Sequence, residues 1–369
     1  MKKRILFLAD IDSAHTRKWA ISLSERGYEI GIFSLRKSES SWFKDFPAIH
    51  VFNEDGFATE KFHVASALKL SYLQFVPALK ATIKTFQPGI VHAHYATSYG
   101  LLGVRSGFHP LIISVWGSDI FEFPKKSILH RLLVFNNLKK ADAIFSTSEI
   151  MKKEVQHYVN HDVAVTPFGV DINEFSPQQT DSLFSGNPKV IGTIKSLENN
   201  YGIDVLIKAF ALVKKQYPPD LKLLICGDGT KEQELKKLAE ETGYGTDILF
   251  AGRINQQEVA RYHNMIDVFV NVSLQESFGV AVVEAMACEK PVVVTSVGGL
   301  KEVVEENVSG VFVLPANVEK TAEGIFGLLN DPEKAKRMGK AGRNNVLKKY
   351  DWKKNLDEIE KLYAGLLSR

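Results

Sequence analysis

Cysteine is scarce in this chain. There are two in 369 residues, Cys226 and Cys288, far apart and each inside an apolar run. That excludes a disulfide framework, and no cysteine–histidine spacing for structural zinc is present. Both thiols are expected to be buried and reduced. Long hydrophobic runs are lacking too: none reaches the roughly 18 residues that a membrane-spanning helix needs. Lys2-Lys3-Arg4 resembles the start of a signal segment. The apolar run behind it stops at Asp10, so it reads as a first core strand instead. Charge of one sign is also in short supply. With 46 basic and 43 acidic residues the net charge is +3, too small for nucleic acid as the main partner. The loop after the first strand, Asp10–Arg17, holds no glycine, which removes the dinucleotide fingerprint of an oxidoreductase. The expected setting is the cytoplasm, with a peripheral place on the inner face of the plasma membrane left open.

What is present is a pattern of strand, helix, strand that runs through the chain twice. The first half gives strands at Arg4–Ala9, Glu29–Ser34, Ile49–Phe52, Ile90–His94, Leu111–Val115, Ala143–Ser146 and Val163–Thr166. The second gives Lys189–Ile194, Lys222–Cys226, Ile248–Ala251, Val268–Val272, Pro291–Thr295 and Gly310–Val313. Several are continuous apolar runs, as in strands buried on both faces. Polar segments of helical period separate them, among them Thr16–Arg26 and Tyr72–Phe86. Alternation of this kind predicts parallel sheets with right-handed crossovers. The expected fold class is α/β: two doubly wound, Rossmann-like domains facing a central cleft. The first spans residues 1–178 and the second 188–350. Pro177–Pro188 reads as a linker, and 351–369 as a helix packing back on the first domain.

The densest chemistry lies between Gln275 and Gly299. Glu276 follows an apolar strand, and Glu284 falls two turns into the next helix. Between them, Ser277, Phe278, Gly279 and Val280 place backbone N–H groups at a helix N-terminus, which favours a phosphate. Acceptors for sugar hydroxyls thus stand beside donors for a diphosphate, the chemistry of a bound sugar nucleotide.

These residues resemble glycosyltransferase family 4, whose members have the GT-B fold. The likeness rests on Glu276–Gly279, Glu284–Ala287, Pro291–Val293 and Gly298-Gly299, supported by Phe168–Asp171 and Phe175–Pro177. The first half matches more loosely, through His92–Tyr95 and Trp116–Asp119. The resemblance implies a retaining, metal-independent transfer from a nucleoside-diphosphate sugar, with a UDP-sugar preferred and no cofactor. It implies that Glu284 holds the nucleotide ribose, that Glu276 stands by the transferred sugar, and that Lys195 meets the diphosphate. Ser277, Phe278, Gly279 and Val280 would bind the donor through main-chain N–H groups. Gly227, Asp228 and Arg253, at the ends of two further strands, would line the base and ribose pocket.

Two positions depart from the family. The second cation of the diphosphate clamp is replaced by Asn200, which cannot neutralise charge; Lys231 or Arg253 would have to compensate. Trp116 stands where many members have histidine, and an indole accepts no proton. Trp116 is expected to stack on a sugar face, with Asp119 counted beside Glu276 and Lys195 as a catalytic-site carboxylate. His15 and His94 are candidate acceptor contacts, and His92 a satisfied core histidine. His92 and His94 point to one side of their strand, but no third metal ligand is visible, and no metal site is expected.

The first 180 residues hold 21 basic against 17 acidic residues, and the remainder 25 against 26. Two basic amphipathic segments, Lys69–Lys84 and Lys125–Lys140, fit either contact with anionic lipid or solvated faces over a core. The leading expectation is a glycosyltransferase acting on a glycan or lipid-linked acceptor in surface polysaccharide or lipopolysaccharide synthesis. A sugar-nucleotide epimerase and a non-catalytic sugar-nucleotide-binding partner of a synthase are the alternatives.

Overall fold

The computed structural model describes residues 3–52, 67–217 and 220–368. The chain divides into two compact units. One comprises Met1–Pro167 with Asn355–Arg369, the other Phe168–Lys354.

The first unit runs β1 (Arg4–Leu8), α1 (Ala14–Glu25), β2 (Glu29–Phe33), β3 (Ile49–Phe52), α2 (Val76–Phe86), β4 (Ile90–His94), α3 (Ser98–Ser106), β5 (Leu111–Val115), α4 (Ser118–Phe121), α5 (Ile128–Lys139), β6 (Ala143–Ser146), α6 (Glu149–Gln156) and β7 (Val163–Val165). Its strands form one parallel sheet in the order β3-β2-β1-β4-β5-β6-β7. Ile5 pairs with Ile30 on one side and Ile90 on the other, so the order reverses at β1 and β4. β1, β4 and β5 are buried on both faces, which is why they read as unbroken apolar runs. The stretch Tyr72–Phe86 is a short 3₁₀ segment leading into α2 rather than one helix. Pro77 explains the break: it suits the first turn of α2 but cannot donate within a continuous helix.

The second unit runs β8 (Lys189–Ile194), α7 (Ile203–Gln216), β9 (Leu221–Cys226), α8 (Glu232–Glu241), β10 (Ile248–Gly252), α9 (Val259–Met265), β11 (Val268–Asn271), α10 (Val280–Ala287), β12 (Val292–Thr295), α11 (Leu300–Val303), β13 (Gly310–Val313), α12 (Val318–Leu329) and α13 (Pro332–Lys349). Its parallel sheet has the order β10-β9-β8-β11-β12-β13, so here the reversal falls between β8 and β11. In an open α/β sheet the carboxyl ends beside such a reversal are where a ligand finds room. Side chains cap α12 and α13: Asn317 accepts from Lys320 N–H at 2.8 Å and Asp331 from Lys334 N–H at 2.9 Å. Pro177–Pro188 carries no helix or strand and is tied down at Gln178, whose N–H donates to Asn264 Oδ1.

The last helix, α14 (Trp352–Leu367), buries Leu356, Ile359 and Tyr363 along one face. Tyr363 Oη lies 2.8 Å from His92 Nδ1, and Ser114 Oγ lies 2.7 Å from His92 Nε2. Both ring nitrogens of His92 are therefore used in the core, and burial lowers its pKa to about 3. Cys226 and Cys288 are buried free thiols, each pushed up to about 12 by desolvation.

Candidate functional site

In the second unit the chemistry gathers where the strand order reverses. Lys195 follows β8 and Glu276 follows β11, and these strands are neighbours. Lys195 Nζ lies 2.5 Å from Glu276 Oε2, with the two side chains 17% and 12% exposed. Enough surface remains for a ligand to reach both. The ammonium also sits over the Tyr201 ring, 4.3 Å from its centroid. Asn271 Nδ2 is 3.4 Å from the same carboxylate oxygen. Asn271 is itself held: its Oδ1 accepts from Ser273 Oγ at 2.6 Å, and Thr295 Oγ1 donates to the Ser273 carbonyl at 2.6 Å.

The loops around this pair interlock backbone to backbone. Lys195 N–H donates to the Cys226 carbonyl, Leu197 N–H to that of Asp228, and Gly299 N–H to that of Glu276. Two glycines make this possible. A Cβ on Gly227 (φ +137°) would lie 2.0 Å from the Lys195 carbonyl oxygen. One on Gly298 (φ +45°) would lie 1.8 Å from that of Glu276. Neither distance can be relieved by turning a side chain, because the obstacle is main chain.

α10 begins one residue after Gly279, which is its N-cap in the left-handed region. Ser277 and Phe278 form the turn just before it. The Phe278 side chain is buried against Phe168 and Tyr350, at 6.1 and 5.4 Å between ring centroids, which anchors the turn. Glu284 lies in the middle of α10, 12% exposed, and its Oε2 is 3.3 Å from His263 Nε2. His263 comes from α9 and is fully buried beside Phe269 and Phe175.

Asp228 and Arg253 are exposed at the ends of β9 and β10. The Lys231 ammonium pairs with Glu234 of α8 at 2.7 Å, while the Asn200 carbonyl accepts from Leu274 N–H.

In the first unit His15, His94 and Trp116 form one aromatic cluster at the carboxyl ends of β1, β4 and β5. Trp116 lies 4.5 Å from His94, 5.5 Å from His15 and 5.2 Å from Tyr95, centroid to centroid. His94 is 1% exposed. Thr16 Oγ1 is 3.5 Å from its Nδ1, and its Nε2 is buried with no hydrogen-bond partner among the described residues. Burial, with His92 and His15 nearby, holds His94 well below the usual histidine range. Burial and Lys18 lower His15 to about 4. Both imidazoles are therefore neutral at pH 7.

Asp119 corrects the expectation placed on it. It is 2% exposed, and its carboxylate accepts from the N–H groups of Ala96 (2.7 Å), Gly117 (2.9 Å) and Trp116 (3.1 Å). Burial raises its pKa, and those hydrogen bonds work against the rise. Both oxygens are spent on holding two loops together, so Asp119 supports Trp116 rather than offering a hydroxyl contact. The residues that sequence reading missed are Asn271, Tyr201 and His263. A polar residue closing the apolar run of β11 was the one available signal, for Asn271. Nothing local marks the other two.

Among the described residues no group of three metal-ligating side chains occurs, and no helix is long and apolar enough to cross a membrane.

Residues 175–345 match the family model for glycosyl transferases group 1, and residues 4–148 that for glycosyl transferase 4-like proteins. An uncharacterized glycosyltransferase of Methanocaldococcus jannaschii is 29% identical over 60% of this chain and 56% of its own length. The chain thus spans little more than half of that relative. N-acetyl-alpha-D-glucosaminyl L-malate synthase of Bacillus anthracis is 25% identical over 75% of each chain. Among solved structures, sucrose-phosphate synthase of Thermosynechococcus elongatus superposes with a TM-score of 0.83, at 21% identity, over the whole of both chains. HepE of Anabaena, solved in complex with UDP and glucose, superposes with a TM-score of 0.81 at 21% identity, over 99% of this chain and 100% of its own. These likenesses show the fold, two parallel-sheet domains of the GT-B kind.

Proposed function

We propose, for a chain that belongs to the group 1, family 4-like glycosyltransferases, that it moves a sugar from a nucleoside-diphosphate sugar to a glycan or lipid-linked acceptor. The observation that carries this is the Lys195–Glu276 pair at the strand-order reversal, beside the start of α10 and its inward Glu284. A UDP-sugar is the preferred donor, supported by the UDP complex of the Anabaena neighbour. The acceptor belongs to surface polysaccharide or lipopolysaccharide synthesis, which sets the enzyme at the cytoplasmic face of a membrane.

Glu284 takes the ribose hydroxyls, and Gly227, Asp228 and Arg253 border the base. The N–H groups around Ser277–Val280 and the Lys195 ammonium take the diphosphate. With Lys195 drawn to phosphate, Glu276 is released to the sugar, where it binds hydroxyls and faces the positive charge that grows at the anomeric carbon. The bond from that carbon to the diphosphate oxygen breaks. The acceptor oxygen bonds to the carbon on the same face, and its proton passes to the leaving phosphate oxygen. Configuration is retained without a covalent intermediate. Lys195 and the α10 start supply the positive charge, so the reaction proceeds without a divalent metal. In the first unit His15, His94 and Trp116 take the acceptor: the indole stacks on a sugar ring, and the neutral imidazoles accept or donate one hydrogen bond each.

Calorimetric titration with UDP, GDP, ADP and their common sugars, with and without chelator, tests the donor site. Binding of one nucleotide series, unchanged by chelator, is expected. No binding in any series, or binding that the chelator abolishes, overturns the reading. Transfer or slow donor hydrolysis separates an enzyme from a silent binding partner, and release of an isomerised donor would point to an epimerase.

A further inference from the structure

We propose that the exposed face at the start of α5 seats on an anionic lipid surface. This deepens the lipid-linked reading of the acceptor and rests on it for its purpose, though not for its geometry. α5 is apolar on two sides. Val134 and Leu138 are fully buried in the core of the first unit. On the outside Ile128 is 65% exposed, Leu129 73% and Leu132 47%. Positions 128, 129 and 132 share one helical face, so these three form a single patch. The outer patch leaves α5 room for a second apolar neighbour.

The surroundings say which neighbour. From Phe123 to Ala141 the sequence contains no acidic residue and five cations: Lys125, Lys126, Arg131, Lys139 and Lys140. All five are exposed. They are only weakly engaged within the molecule. Lys125 is 3.7 Å from Glu154, Arg131 lies over the Tyr158 ring and Lys139 over that of Phe135. A second copy of the chain meeting this face about a two-fold axis would bring like charges together. An apolar tip with a basic rim instead matches acyl chains beneath anionic headgroups. The patch also follows Trp116 in the chain, with α4 and a short 3₁₀ turn between. Lipid contact at this point lies near in sequence to the proposed acceptor cluster of the same unit.

Flotation with vesicles tests this, using phosphatidylcholine alone and a three-to-one mixture with phosphatidylglycerol, at low and high salt. The wild-type protein is expected to float with the mixed vesicles, less so at high salt, and weakly or not at all with phosphatidylcholine. L129S/L132S and K139E/K140E should each reduce binding by about tenfold or more. Because these side chains are exposed, both variants should titrate with nucleotide like wild type, which shows that they are folded. Equal binding by wild type and variants overturns the proposal, as does no binding to anionic vesicles. A dimer in lipid-free solution that L129S/L132S dissolves also overturns it and gives the face to a second copy. Vesicle binding that survives where no nucleotide binds would sink the donor site alone and leave the lipid surface standing.

Discussion

Glu284 and His263 are joined across two helices: Nε2 of the buried imidazole lies 3.3 Å from Oε2 of the carboxylate. A carboxylate only accepts, so the ring proton sits on Nε2, and Nδ1 is left buried without a partner among the described residues. That arrangement turns one oxygen of Glu284 to His263, and in the proposed donor site the other oxygen takes the vicinal diol. His263→Leu should therefore weaken nucleoside-diphosphate binding about tenfold, the worth of one charge-assisted hydrogen bond. His263→Gln, which carries a donor near the place of Nε2, should recover most of the loss. In the Glu284→Ala background His263→Leu should add nothing. Calorimetry on wild type and these four variants decides it. Additive losses would reduce His263 to a packing residue.

The Lys195–Glu276 pair predicts a division of labour. Glu276→Ala should leave binding of free UDP nearly unchanged and cut turnover by roughly 10²–10³-fold, the scale of a lost transition-state contact. Lys195→Ala should weaken UDP itself, by about tenfold or more, because it removes the cation that pairs with Glu276 at this reversal of the sheet. Measurement of the nucleotide dissociation constant beside kcat separates the two. Equal effects of both changes on both quantities would mean that the pair acts only as a structural bridge.

The fold was legible because the information is local. Runs such as Val292–Thr295 and Leu111–Val115 are buried on both faces, and such strands show as unbroken apolar blocks. The glutamate spacing likewise placed Glu276 before α10 and Glu284 within it. Side-chain partners were not legible. Asp119 looks like an active-site carboxylate until Ala96, 23 residues away, is seen to donate to it. Tyr201 comes under Lys195, and His263 against Glu284, only through packing of separate elements. Where a polar group spends its hydrogen bonds depends on neighbours that distance in sequence conceals.

Asp119 gives a stability prediction rather than a catalytic one. Asp119→Asn keeps the shape but replaces one accepting oxygen with a donor facing backbone N–H groups. The expected cost is about 1–3 kcal/mol, seen as a lower denaturation midpoint. Turnover per folded molecule should fall modestly, since Trp116 loses its support without losing its ring. Wild-type stability with abolished turnover would return Asp119 to the reacting atoms.

His92 predicts acid sensitivity of the first unit. Its folded pKa, about 3, lies below the ordinary value of 6.5, so the unfolded chain binds the proton more readily. Its contribution is complete above the ordinary value and is lost as pH falls from there towards about 3. The loss amounts to a few kcal/mol, on the order of 1.4 for each pH unit traversed. His15, lowered to about 4, acts in the same direction. Urea midpoints followed from neutral pH downwards should fall through this window. His92→Leu would strand Tyr363 Oη and Ser114 Oγ, so a lower midpoint at neutral pH is expected. Its midpoint should also vary less with pH than that of wild type. An unchanged slope in the variant would place the acid-sensitive group elsewhere.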